Sequence, residues 1–240
     1  WSRWSGPPGT IRRPPRSADV SLDAPVGAQA EVRDTIAPKT VVESEVAWRG
    51  LIFDVRRDRV DLGTGEVVTR DYIDHPGAVL ILALREIDGV DHLAMIRQYR
   101  HACRSYLWEL PAGLLDIAGE APRDAAAREL REEVDLVATR WDVLIDAYAS
   151  AGAFPEAFRV FLARDLAAAP GEPHQRTGEE ADLTVRWVSL DDAYAAALAG
   201  QLHNPGALLG IMAAWGARAE GWSTLRPHDA PWPEHPAYRF

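Results

Sequence analysis

The stretch Leu110-Pro111-Ala112-Gly113-Leu114-Leu115-Asp116-Ile117-Ala118-Gly119-Glu120, followed after seven residues by Arg128-Glu129-Leu130-Arg131-Glu132-Glu133-Val134-Asp135, decides how the chain is read. Its first half is a strand end, a glycine-punctuated loop and an acid. Its second half lies in Ala121–Val134, which has good helix formers and no internal Gly or Pro, and so predicts a helix. At about 100° per residue, Ala126, Ala127, Leu130 and Val134 share a side suited to packing on a sheet. Glu129, Glu132 and Glu133 fall together elsewhere, at i,i+3 and i,i+4 spacing, where like charges repel. By itself Arg-Glu-Leu-Arg-Glu-Glu is what a solvated helix face looks like. A glycine loop and an acid directly ahead of it have no such simple structural reason. Arg128 and Arg131 offset part of the repulsion. Hard divalent ions, which take carboxylate oxygens together with substrate phosphate, can offset the rest.

Outward from this helix the signals alternate. Val41–Trp48, Leu51–Leu62 and Val67–Ile73, with a turn at Gly63-Thr64-Gly65, predict a small antiparallel unit. Ala78–Leu84 and His92–Tyr99 flank Asp88-Gly89 as a buried hairpin. Tyr106–Leu110, Val143–Tyr148, Arg159–Leu162 and Leu183–Val188 read as strands. Leu190–Leu198 and Pro205–Ala219 read as helices, the second with Pro at its first position. This order predicts an α+β sandwich. The expected division is a flexible N-terminal tail over 1–38, a β subdomain over 39–75, a main domain over 76–222 and a Pro- and aromatic-rich C-terminal tail over 223–240. For that last segment two readings stay open: anchorage through Trp232 and Tyr238, or a loose tail.

Composition sets the limits. The 240 residues carry a net charge of −10, and Arg3, Arg12, Arg13 and Arg16 against Asp19 leave the remainder more acidic still. Such a chain is a poor counterion for a nucleic-acid backbone, so no nucleic-acid partner is expected. Apolar runs such as Gly77–Leu84 and Pro205–Ala214 are too short to span a bilayer, so no membrane partner is expected either. No secretory signal is visible at Trp1-Ser2-Arg3-Trp4. The single cysteine, Cys103, excludes an internal disulfide and a thiolate zinc site, and fits a cytoplasmic location.

The segment Glu120…Arg128-Glu129-Leu130-Arg131-Glu132-Glu133-Val134-Asp135-Leu136 resembles the Nudix hydrolase box. Gln98-Tyr99-Arg100, Trp108-Glu109-Leu110-Pro111-Ala112-Gly113 and Glu179-Glu180-Ala181-Asp182 look like the ADP-ribose pyrophosphatase branch. The resemblance covers roughly 40–215. It implies a Nudix-type α/β/α sandwich with a mixed sheet, preceded by the antiparallel β subdomain, which would pair two chains as a homodimer. It further implies hydrolysis of ADP-ribose to AMP and ribose 5-phosphate with Mg²⁺ or Mn²⁺, two or more ions per site. Glu129 and Glu133 become the main metal ligands, with Glu132 and the Ala112 carbonyl as further ones. Gly113, Glu120 and Arg128 build the box. Glu180, with Glu179 beside it, becomes the general base, and Glu132 is the remaining catalytic candidate. Arg100 and Arg70 are candidates for phosphate and adenine-side contacts, Arg70 through the partner subunit. Phe53 is a candidate for stacking on adenine, and Glu109 for touching substrate or bracing the loop.

Three features depart from the pattern. Gly113 lies seven positions before Glu120, one more than in the general box. Asp135 stands where the box closes on Gly, predicting a strained or shifted helix end. Ala149–Glu156, a loop that helps mark ADP-ribose specificity, reads Ala-Ser-Ala-Gly-Ala-Phe-Pro-Glu. Two alternatives follow: hydrolysis of another nucleoside-diphosphate sugar, or a non-catalytic fold that senses ADP-ribose or a nucleotide.

Overall fold

The computed structural model describes residues 32–51, 53–176, 178 and 182–238. Lys39–Phe240 forms one compact unit. Its central strand explains the layering. In β4 (Ala78–Ile87) the residues Ala78–Leu84 are all buried, and their alternation divides them between two faces. Leu80, Leu82 and Leu84 enter one core with Leu93, Met95, Phe158, Val160 and Leu162. Val79, Ile81 and Ala83 enter the other with Ala94, Ile96, Phe161 and Trp141. Each fully buried Leu or Ile contributes about 1.5–3 kcal/mol.

β5 (Val90–Arg100) follows through a turn in which Asp88 (φ 51°) and Gly89 (φ 78°) are both left-handed, the geometry that matches strand twist in a two-residue hairpin. β6 (Ser105–Glu109) pairs with β5, and the short β7 (Ala112–Leu114) pairs with β4. Helix α1 (Pro122–Val134) then covers the second core with Ala125, Ala126, Leu130 and Val134. β8 (Leu136–Ser150) and β9 (Phe154–Ala168) form a long hairpin, and β9 returns parallel to β4. β10 (Thr184–Ser189) closes the sheet beside β5. Helices α2 (Leu190–Leu198) and α3 (Pro205–Ala219) cover the first core through Leu190, Ala193, Ala207, Ile211 and Ala214. Ser189 and Asn204 cap them by accepting the Asp192 and Ala207 N–H groups. β11 (Arg226–Pro227) extends the order to β10-β5-β4-β9-β8-β11. The result is a helix–sheet–helix sandwich on a mixed sheet. Ahead of it stands a separate antiparallel sheet of β1 (Thr40–Arg49), β2 (Asp54–Asp61) and β3 (Val67–Ile73).

Two segments differ from simple expectation. Of Ala149–Glu156 only residues 151–153 lie outside strands, so this segment is a tight hairpin turn; its Ala153 carbonyl accepts Ile73 N–H at 3.1 Å, tying it to β3. In the C-terminal segment Trp232, one of the two expected anchors, is buried, and the Tyr238 side chain lies outside what is described. His235 is buried as well, and Arg159 (2% exposed) forks onto Asp146 at 2.7 and 2.9 Å. Arg159 also donates to the Ala230 and Pro231 carbonyls and lies over the Trp232 ring. His235 Nε2 bonds the Pro76 carbonyl at 2.7 Å beside Gly77, where a Cβ would lie 2.3 Å from that nitrogen. Among the described residues no helix is long and apolar enough to cross a membrane.

Candidate active site

The site is built where α1 passes over β7. Pro122 starts the helix at its first turn, where a missing N–H costs nothing. Packing of Ala126, Leu130 and Val134 on the sheet fixes the rotation, and this turns Glu129 and Glu133 towards the Ala112–Gly113 backbone. Glu133 is only 5% exposed, and its Oε2 accepts the Ala112 N–H at 2.8 Å. Glu129 lies so close to Gly113 that a Cβ there would sit 2.1 Å from its carboxyl carbon. Gly113 therefore has a steric reason to be glycine: it opens a cradle for the Glu129 carboxylate.

Arg128 sits among the acids. It forks onto Glu120 at 3.0 Å twice, donates to Glu129 at 2.5 Å, and reaches Glu132 at 3.3 Å. The hydrogen bonds it donates to Glu120 raise the Arg128 pKa above its ordinary value; burial opposes the rise and Glu129 adds to it. Glu120 is correspondingly held below its ordinary range, first by the hydrogen bond from Arg128, against a cost of burial. Arg128 thus braces the loop start against the helix and reduces the repulsion within the carboxylate row.

Glu129, Glu132, Glu133 and the Ala112 carbonyl all offer hard oxygens, and the Gly113 cradle brings the Glu129 and Glu133 carboxylates against the loop. These residues fit a hard divalent cation. Among the described residues no three His, Cys, Asp or Glu side chains converge on a single point. The carboxylates are instead directed at Arg128 and at the Ala112 N–H.

Arg100, at the end of β5, forks onto Glu109 at 2.9 and 2.7 Å. Glu109 is 2% exposed, so this pairing answers the cost of burying its charge. The structure thereby joins two residues that the sequence names separately. Gln98, Tyr99 and Tyr106 line a cavity of about 210 Å³ with Gly178 and Asp182. Trp108 packs against the first core, with the Arg186 guanidinium over its ring. Phe53, in the connection just before β2, is 40% exposed and lines a cavity of about 520 Å³ with Gly50, Leu51, Asp54, Asp74, His75 and Pro76. Arg70 is exposed on β3, opposite Asp58 of β2, and donates to the Thr69 carbonyl. It is not grouped with the α1 acids. Glu179 and Glu180 lie outside the described residues.

Sequence reasoning passed over one contact. Asp135 ends α1 in the left-handed conformation, φ 54° and ψ 37°, and its carboxylate accepts the His174 N–H and binds Arg176. The unusual residue at the helix end was the available signal; the partners, about forty positions away, carried none.

Comparison with known proteins agrees with this geometry. Residues 74–207 match the model of the NUDIX domain. The ADP-ribose pyrophosphatase of Mycobacterium tuberculosis is 43% identical over 195 residues, covering 81% of this chain and 91% of that protein. The ADP-ribose pyrophosphatase of Bacillus subtilis is 31% identical over 159 residues, covering 66% and 82%. A crystal structure described as an ADP compounds hydrolase superposes with a TM-score of 0.59 at 23% identity, over 79% of this chain and 99% of that one, a likeness of fold. The Gly113 cradle, the carboxylate row of α1 and the matched domain have one explanation: the chain belongs to the NUDIX family.

Proposed function

We propose that the protein hydrolyses the diphosphate of ADP-ribose, giving AMP and ribose 5-phosphate, with Mg²⁺ or Mn²⁺ and two or more ions per site. The observation that carries this reading is the packing of Glu129 and Glu133 on the Ala112–Gly113 backbone. The two similar ADP-ribose pyrophosphatases support the substrate. Glu129, Glu133 and Glu132, with the Ala112 carbonyl, would hold the ions. Such ions supply Lewis acidity and charge neutralisation at the diphosphate.

The chain's own residues supply the rest. Glu180, with Glu179 beside it, takes the proton of the attacking water as a phosphorus–oxygen bond forms and the bridging bond breaks. Arg100 meets phosphate oxygens with a guanidinium that buried Glu109 orients. Phe53 offers its ring to adenine in the cavity it lines. Homodimerisation through the three-stranded sheets is supported by the apolar side chains these expose, Val41, Val42, Trp48 and Val67, and would bring Arg70 to the partner's site. The exposed free thiol of Cys103 suits the cytoplasm.

The test is release of AMP and ribose 5-phosphate from ADP-ribose by the purified full chain with Mg²⁺ or Mn²⁺. Glu133→Gln keeps an oxygen for the Ala112 N–H but loses the charge. It should lower kcat by about 10²–10³-fold with the fold retained. An unchanged rate would remove the metal assignment. Tight ADP-ribose binding without turnover under both metals would favour a sensor, and faster turnover of sugar nucleotides would change the substrate.

A further inference from the structure

A left-handed backbone suits glycine, and every side chain with a Cβ pays for it sterically, Asp and Asn least. At Asp135 the side chain has definite employment. Its Oδ1 accepts the His174 N–H at 2.9 Å and its Oδ2 accepts from Arg176 Nη2 at 2.5 Å. Arg176 Nε also donates to the Glu132 carbonyl at 3.3 Å. The Ala169 N–H meets the Asp135 carbonyl at 2.9 Å, and Arg131 reaches the Pro170 carbonyl at 3.3 Å. The segment 169–176 is thus stitched to the last turn of α1, the turn that carries Glu132 and Glu133. A guanidinium also suits the partial negative charge of a helix C-terminus. Beyond it the chain is fixed again, with Asp182 at the cavity of Gln98 and Tyr99 and Thr184 paired with Arg97 of β5.

We infer that Asp135 and Arg176 are positioning residues for hydrolysis: their ion pair fixes, on the helix that bears the carboxylate row, the stem from which the chain continues into Glu179 and Glu180. The inference rests on the hydrolase reading above and adds a residue that the family pattern would make glycine.

Asp135→Gly separates positioning from folding. Glycine accepts the left-handed turn freely, so thermal stability should equal or exceed that of the parent protein. Yet kcat on ADP-ribose should fall by about 10- to 100-fold with KM changed less than about twofold. Arg176→Ala should do the same, and the double variant should lose less than the two single losses combined, because both remove the shared ion pair. Asp135→Asn, which keeps an acceptor for the His174 N–H, should recover part of the rate. Amide exchange at His174 should quicken in Asp135→Gly. An unchanged kcat in Asp135→Gly, additive losses in the double variant, or unaltered exchange at His174 would each overturn the inference while parent turnover stands. A parent protein with no turnover of ADP-ribose would instead bring it down together with the hydrolase reading.

Discussion

Arg159 and Arg128 each meet carboxylates, and the charge around them is balanced differently. Arg159 is 2% exposed and forks onto Asp146, which Arg226 also meets at 2.9 Å. Two main-chain carbonyls and the Trp232 ring take up the rest of the guanidinium. There two cations meet one carboxylate, Arg159 itself is nearly shut from water, and the contacts join β8, β9 and the C-terminal segment. Arg128 is 28% exposed and faces Glu120, Glu129 and Glu132, with Glu133 a turn away. One cation there faces three acids, and Glu133 adds a fourth beside them. A buried cation closed off by a carboxylate and main-chain carbonyls serves structure, whereas a row left with surplus negative charge beside a glycine cradle is arranged for further cations.

The contrast predicts opposite responses to substitution. Arg159→Ala leaves a nearly buried Asp146 with one remaining partner and strips two carbonyls of their donor. It should cost about 3 kcal/mol, lowering Tm by roughly 6–12 °C for a chain of this size, with kcat per folded molecule unchanged. Thermal unfolding followed by an activity assay on the folded fraction would check both halves. A loss of turnover at unchanged Tm would erase the distinction between the two centres.

Gly113→Ala should divide the other way. Gly113 carries no positive φ, so alanine strains no backbone there. Its Cβ would meet the end of the Glu129 side chain, which can swing aside. Stability should fall by less than about 1 kcal/mol, while displacement of that carboxylate lowers kcat by about 10- to 100-fold. Titrating Mn²⁺ binding in parallel would show whether the loss follows the metal.

Much of this arrangement is readable from the residues. The unbroken apolar run of β4 announces a strand buried on both faces, and the helical period places three glutamates together. What was not readable has definite causes. β8 and β9 run fifteen residues each, but bulges between Val143 and Ile145 and between Tyr148 and Ser150 shift the pairing and interrupt the alternation. The C-terminal segment has no period, so burial of Trp232 and His235 depends on partners in β9 and before β4. Periodicity also groups Glu133 with Glu132 as though both were solvated, whereas the rotation of α1 buries one and leaves the other partly exposed.

The smallest expected effect concerns pH and tests whether Arg128 is a brace as well as a counter-charge. Glu120 has a pKa below its ordinary value because Arg128 donates to it. A carboxyl depressed by folding adds stability above its unfolded pKa, and that contribution is lost as pH falls through the lowered, folded value. Glu120→Gln should therefore be less stable than the parent at neutral pH, by about 1 kcal/mol or less for a pair so near the surface. The gap should close in acid, below the ordinary glutamate range, where the parent's Glu120 also becomes neutral. Denaturant midpoints across that range would measure it. A gap independent of pH would mean that Glu120 holds the loop by shape alone, and that Arg128 is committed to the carboxylates of α1.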